Sequence, residues 1–264
     1  MSNARKLALL VLLLFLPVGT GCTPTKAPEL EPVLKSAQTE EERLMVEFLM
    51  KRYNPTLGLL EESPNAGKGT YYVHSDAYLA GLDATWYDRR YGIRPNPHWT
   101  VLRGEVVSEE VFSYGVEERE LDPANGVFSV IERPDTVWFD WQEYADRVLL
   151  AALNARITGN TAREEELMAI ARAMWDGHCM RDKSYYVYLE TDGRVTCETY
   201  KTALYYHLTG DPAALDIVLG LQERDPASKN FGGIYTHYGE DGKPFPWIDA
   251  NTETTSVVLL TIQD

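Results

Sequence analysis

The hexapeptide Ile157-Thr158-Gly159-Asn160-Thr161-Ala162 returns 51 residues later as Leu208-Thr209-Gly210-Asp211-Pro212-Ala213. Each copy stops one helix and starts the next. Glycine falls where a helix ends in a left-handed residue. Asn160 and Asp211 are N-cap types, and Pro212 takes the first helical position, where a missing N–H costs nothing. Helices are therefore predicted from Asp140 to about Ile157, from Thr161 through Leu167, Ile170, Ala171 and Met174, from about Thr196 to Leu208, and from Pro212 onward. A first helix starts at Thr39, where Thr39-Glu40-Glu41-Glu42 is a capping box. It carries Leu44, Met45, Phe48, Leu49 and Tyr53 on one face and stops at Asn54-Pro55. Another helix is expected from Ala77 to about Arg90, and a last one from near Asn251 to the end.

Between the helices lie stretches that read as β-hairpins. One joins Leu57–Leu60 to Thr70–Val73, one spans Met180 to Val195 with a turn at Asp192-Gly193, and one spans Phe231 to Ile248 with a turn at Asp241-Gly242. After each comes an acid at a helix opening: Ser75-Asp76-Ala77-Tyr78, Cys197-Glu198-Thr199-Tyr200 and Thr252-Glu253-Thr254-Thr255. A leucine follows six residues after each acid, at Leu82, Leu204 and Leu259. Glu143, Glu198 and Glu253 are spaced by 55 residues, a period that signals stacked supersecondary units. Residues 99–138 break the pattern with short β-prone runs such as Val127-Phe128-Ser129-Val130, and are expected to form a β-rich insertion or cap.

Helix, Thr-Gly-Asp turn, helix and hairpin in repetition resemble the (α/α) toroids of the six-hairpin glycosidase class, over roughly residues 39–264 without the insertion. The resemblance implies a mainly α fold. With about seven long helices where a full toroid has twelve, it implies a partial toroid of α-hairpins, with short β-hairpins at one end. It also implies a funnel that holds a carbohydrate or other small polar ligand, and hydrolysis or elimination as the chemistry.

In that arrangement Asp76, Glu198 and Glu253 face one mouth, with Asp140 or Glu143 as a further acid. Two carboxylates across a cleft hydrolyse a glycoside when one protonates the leaving oxygen and the other attacks or activates water. The competing reading is structural, because an acid in the first turn of a helix is favourable for the helix dipole. Tyr72, Tyr186, Tyr235, Tyr238 and Trp247 crowd the hairpins and suit sugar faces, although tyrosine is also a good strand former. His74 and His237 lie in equivalent hairpins, and a His–Tyr pair can serve as base and acid in eliminating a uronic acid. No spaced His/Cys/Asp set supports a metal, and no motif implies a cofactor. G-x-S-x-G, HExxH and P-loop motifs are absent from the sequence.

The N-terminus bears on location. Arg5 and Lys6 precede an apolar run from Leu7 to Val18, then Gly19-Thr20-Gly21-Cys22. Residues 1–21 read as a signal peptide. Cys22 after small residues resembles the prokaryotic lipoprotein signal, in which that cysteine carries the lipid, although Gly19 stands where leucine is usual. Residues 22–38, with three prolines, read as a tether. The alternative is a cleaved signal and a secreted protein. A formal net charge of −15 repels nucleic acid and anionic lipid surfaces, so any membrane link is expected to be covalent. Cys179 and Cys197 form a disulfide in an oxidising compartment or are two buried thiols. Together these features describe a membrane-anchored extracytoplasmic protein with a carbohydrate-processing helical domain. The alternative is a surface lipoprotein without chemistry, binding glycan or peptide or serving structure alone.

Overall fold

The computed structural model describes residues 37–65, 69–82, 85–94, 96–192 and 195–263. The expected signal peptide, Cys22 and nearly all of the tether lie outside them, as does Gly193 of the expected turn. Helix α1 (Glu40–Arg52) opens on the capping box: Thr39 Oγ1 accepts from the Glu42 N–H at 3.2 Å and Glu42 reaches back to the Thr39 N–H at 3.2 Å. Such a cap contributes about 1 kcal/mol. Leu44, Met45, Phe48 and Leu49 form its buried face.

Helices α4 (Ala145–Ile157), α5 (Thr161–Met174), α7 (Thr199–Thr209), α8 (Pro212–Gly220) and α9 (Thr252–Ile262) follow the repeat. Asn160 and Asp211 cap α5 and α8, and Gly210 closes α7 at φ 68°. Helix α7 packs between α4 and α9, and α9 packs in turn on α1. Helix α5 lies against α4 and α8 against α7. Helices α4, α7 and α9 are buried on nearly every side, which explains their weak amphipathicity and their Ala, Thr and Ser content.

Three small sheets accompany the helices among the described residues. Strand β1 (Tyr53–Asn54) pairs antiparallel with β2 (Leu59–Leu60). Strands β4 (Tyr114–Asp122) and β5 (Val127–Val137) form a long hairpin, and β3 (Tyr71–Tyr72) pairs parallel with β5, Tyr71 opposite Val127. The docking is close at Gly126 (φ 65°), where a Cβ would meet Gly69 O at 1.9 Å. Strand β6 (Cys197–Glu198) pairs antiparallel with β7 (His237–Tyr238).

These sheets correct the expected fold class. The chain is a mixed α/β fold rather than a mainly α partial toroid. Within residues 99–138, expected as a β-rich insertion or cap, β5 pairs with β4 on one side and with β3 on the other. The stretch read as a hairpin from Met180 to Val195 holds α6 (Lys183–Asp192), started by Asp182, whose carboxylate accepts the Tyr185 N–H at 3.1 Å. The stretch from Phe231 to Ile248 is mostly loop: β7 pairs with Glu198's strand, and Tyr238 meets its own return arm in an isolated bridge to Pro244. The helix expected over 77–90 is instead a π-helical segment, Val73–Tyr78, followed by α2 (Thr85–Tyr91) and the one-turn α3 (Pro97–Thr100). A disulfide joins Cys179 and Cys197, Cα atoms 5.6 Å apart. No helix among the described residues is long and apolar enough to cross a membrane.

Candidate functional site

The segment Tyr235–Tyr238 stitches two helix starts together. On one side Thr199, first residue of α7, donates its N–H to Thr236 O and its hydroxyl to Tyr235 O at 2.7 Å. On the other, Tyr235 bridges Ala250, and Thr236 N–H donates to Asp249 O, just before α9. The opening of α9 is also tied to the chain ahead of β3, since Thr252 donates its N–H to Glu62 O at 2.7 Å and its hydroxyl to Glu61 O at 2.6 Å. Asp182 ties in α4: its carboxylate accepts the Ala145 N–H at 2.9 Å and binds Lys201 of α7 at 2.7 Å. The starts of α4, α7 and α9 therefore share one end, with their positive dipole ends together.

Acids gather there. Lys201, 2% exposed, ion-pairs with Asp182 and Glu198 and lies 4.0 Å from Asp146. Burial disfavours its charge, but Glu198, Asp146 and Asp182 outweigh burial and hold the ammonium well above its usual range. Ser184 donates to Glu198 at 2.7 Å and also contacts the ammonium. On α9, Glu253 is partly open to solvent. Burial pushes its carboxyl up to about 7, opposed by a hydrogen bond from Ser75 and reinforced by Glu62, Asp146 and Glu198. Asp76, in the π-helical segment, is 1% exposed, and neither of its carboxyl oxygens has a well-formed hydrogen bond among the described residues. Burial raises it well above the ordinary range, with Glu253 and Glu62 adding to the rise.

Helix capping does not explain these acids. Asn251, not Glu253, caps α9 by accepting the Thr254 N–H at 2.8 Å, and the Glu198 side chain makes no cap bond to α7. The π-helical segment that holds Asp76 is fixed by His74. Its imidazole lies between Ser129 Oγ (3.0 Å, Nδ1) on β5 and Asp88 (2.6 Å, Nε2) on α2. Such π segments are frequent at functional sites.

Asp76, Glu198 and Glu253 thus belong to one electrostatic cluster. His237 sits beside it, opposite Glu198 in the β6–β7 pair, with Nδ1 2.8 Å from Thr236 Oγ1. Burial pushes its imidazole down, against the field of Glu198 and with that of Lys201. Tyr72 is half-buried at the edge and donates to Glu118 at 2.6 Å; burial and that bond hold its phenol well above its usual range. Tyr235 donates to Glu223 at 2.6 Å, and burial with that bond pushes its phenol up to about 12. Tyr238 is a core residue rather than a ligand contact: it is 0% exposed, and its hydroxyl is satisfied by His178 O and Thr202. Tyr186 is exposed in a groove with Glu143, Arg181 and Lys183. Asp140 and Glu143 pair there with Lys183, so the acid that α4 contributes to the cluster is Asp146. Trp247 is 60% exposed and stacks on Phe245 in a groove of roughly 310 Å³ that includes Tyr235 and Asp249.

Lys201, Asp182 and Asp146 went unread in the sequence. Lys201 had one signal, a lone cation within the helical stretch Thr199-Tyr200-Lys201-Thr202-Ala203-Leu204, three residues after Glu198. Among the described residues no group of three or more His, Cys, Asp or Glu side chains is placed to hold a metal ion. No protein-family model, curated protein or solved structure matches the chain.

Proposed function

We propose that the acid cluster cleaves a glycosidic bond, with Glu253 as proton donor and Glu198 as the second carboxylate. One observation carries this reading. The surroundings divide the two acids: Glu253 is raised to about 7, so it holds a proton near neutrality, while Glu198 is ion-paired with Lys201. Acid pairs separated in this way take the two roles of glycoside hydrolysis. Glu253 gives its proton to the leaving oxygen. Glu198 attacks the anomeric carbon or takes a proton from the attacking water, and the water's oxygen ends on the sugar. Lys201, with Asp182 behind it, is a positioning residue for Glu198.

Elimination has less support. It acts on uronides, and a negatively charged sugar would enter a site already crowded with carboxylates. The second reading, glycan binding without cleavage, is favoured by the exposed Phe245–Trp247 stack and remains its rival. The N-terminal signature supports an anchored location: residues 1–21 removed and Cys22 lipidated on the extracytoplasmic face. Mass analysis of the mature N-terminus tests the anchor.

The test of function is a screen of oligosaccharides for new reducing ends, run beside melting curves. Glu253→Gln and Glu198→Gln are each expected to cut turnover at least a hundredfold, and Glu253→Gln to melt no lower than the parent. Binding without any turnover by the parent protein supports the rival reading. Unaltered turnover in both variants removes these acids from the chemistry.

A further inference from the structure

The first turn of α7 buries all but one of its side chains. Thr199, Lys201 and Thr202 are buried, while Tyr200 stays partly open to solvent. Two contacts fix the Tyr200 ring. The Trp99 indole of α3 meets it edge-on, 5.9 Å between centroids and 69° between planes. On another side the Lys201 ammonium lies 5.8 Å from the ring centre. That ammonium pairs with Glu198 and Asp182 and stands 4.0 Å from Asp146. The ring is therefore placed among the acids by distance, at the end of the fold where α4, α7 and α9 begin.

The hydroxyl of Tyr200 makes no hydrogen bond among the described residues. The other tyrosines around the site differ: Tyr72 donates to Glu118, Tyr235 to Glu223 and Tyr238 to His178 O. A tyrosine hydroxyl taken out of water usually finds a partner, so Tyr200 is left with a donor to offer. It stays protonated, because burial and the fields of Asp146, Glu198, Glu253 and Asp182 hold the phenol well above its usual range. Of the acids, Asp146, Glu198 and Glu253 are partly open to solvent. The Lys201 ammonium is buried and taken up by Asp182, Glu198 and Ser184. Apart from the proton that Glu253 gives to the leaving oxygen, Tyr200 is the donor that these residues present to a bound sugar.

We infer that Tyr200 is a substrate-contacting residue of the acid site, its phenol donating to an oxygen of the sugar ring on which Glu198 and Glu253 act. The proton stays on the phenol throughout, and the bond orients the reacting ring between the two acids. The inference rests on the glycan reading above and adds the group that holds the sugar. It concerns a contact, so binding tests it as well as turnover.

The experiment is Tyr200→Phe in the full chain, which keeps the ring against Trp99 and Lys201 and removes only the hydroxyl. Cellohexaose, xylohexaose and chitohexaose are the probes. Turnover is read from new reducing ends. Affinity is read by calorimetric titration in Glu253→Gln, with and without Tyr200→Phe. A neutral hydrogen bond to a ligand is worth about threefold to tenfold in affinity. Tyr200→Phe is expected to weaken binding of at least one hexaose by that factor and to lower kcat/KM by at least as much. The melting temperature is expected to stay where it is, since the hydroxyl bonds nothing in the free protein. If the parent binds a hexaose without cleaving it and Tyr200→Phe weakens that binding, the contact stands and the hydrolytic reading falls. If the parent cleaves and Tyr200→Phe leaves affinity and kcat/KM unchanged, the contact falls and hydrolysis stands. A lowered melting temperature with unaltered affinity marks a structural hydroxyl and overturns the inference, as does no binding of any of the three probes at millimolar concentration.

Discussion

Replacing Lys201 by methionine strands three carboxylates at once. The ammonium is 2.7 Å from Asp182, contacts Glu198 and stands 4.0 Å from Asp146. At an effective dielectric near 20, a 2.7 Å pair is worth about 6 kcal/mol of attraction and a 4.0 Å pair about 4 kcal/mol. Desolvation of the ammonium and of the 1% exposed Asp182 side chain takes back much of that sum. Breaking a buried pair from one side nevertheless costs about 3–5 kcal/mol, because the remaining charge stays buried. For a domain of this size that corresponds to a fall in Tm of roughly 6–20 °C. Methionine keeps the length and the apolar stem, so lost packing adds little. Urea denaturation at pH 7 is the assay. Adding Asp182→Asn to the variant is expected to restore part of the loss at pH 7. A deficit under about 1 kcal/mol at pH 7 refutes the reasoning.

Three further outcomes follow from the same cluster and its surroundings. Glu253 is raised when folded, so its contribution to stability is fully present below its unfolded value near 4.5 and lost as pH rises through about 7; Glu253→Gln should therefore gain on the parent by on the order of 3 kcal/mol between pH 5 and pH 8 in urea titrations. Asp76 is raised in the same direction by burial, Glu253 and Glu62, so Asp76→Asn is expected to leave stability unchanged or improved at pH 8, and a loss above about 2 kcal/mol there would mean that the ionised form is held by bonds. The Cys179–Cys197 bridge closes a separation of 18 residues and adjoins Glu198, so the double Cys→Ser variant is expected to lose about 3 kcal/mol in calorimetry, with no loss expected if the thiols are free in the native protein.

Local chemistry carried the parts of the fold that were legible. The Thr39–Glu42 capping box, the Gly210–Asp211–Pro212 junction and the helices around them depend on neighbours within four residues. The α6 stretch was misread because Lys183-Ser184-Tyr185-Tyr186-Val187-Tyr188 has strand-like composition. Asp182 starts a helix there while also serving α4 and α7, contacts made far along the chain. The parallel pairing of Tyr71 with Val127 is likewise non-local, so no neighbouring residue announces it. Among the candidate site residues, the acids at 76, 198 and 253 are singled out in the sequence by their common position at helix openings. For a fourth acid the 55-residue interval points to Glu143, with Asp140 three residues before it as the alternative. A 3₁₀ turn at Trp141–Glu143 delays α4 to Ala145 and hands the place to Asp146. The buried state of Tyr238 had no local signature, since Tyr235 and Tyr238 share a chemistry but not an environment.

The proton affinity of Glu253 tests the coupled acid site most directly. Carbon-13 labelling of glutamate side chains, with Glu253→Gln to assign the signal, allows its titration to be followed by NMR. A midpoint near 7 is expected in the parent protein. In Glu198→Gln, which removes one of the charges that raise it, the midpoint is expected to move down. A midpoint in the ordinary glutamate range near 4.3, or one that ignores Glu198→Gln, contradicts a single site built from the starts of α7 and α9.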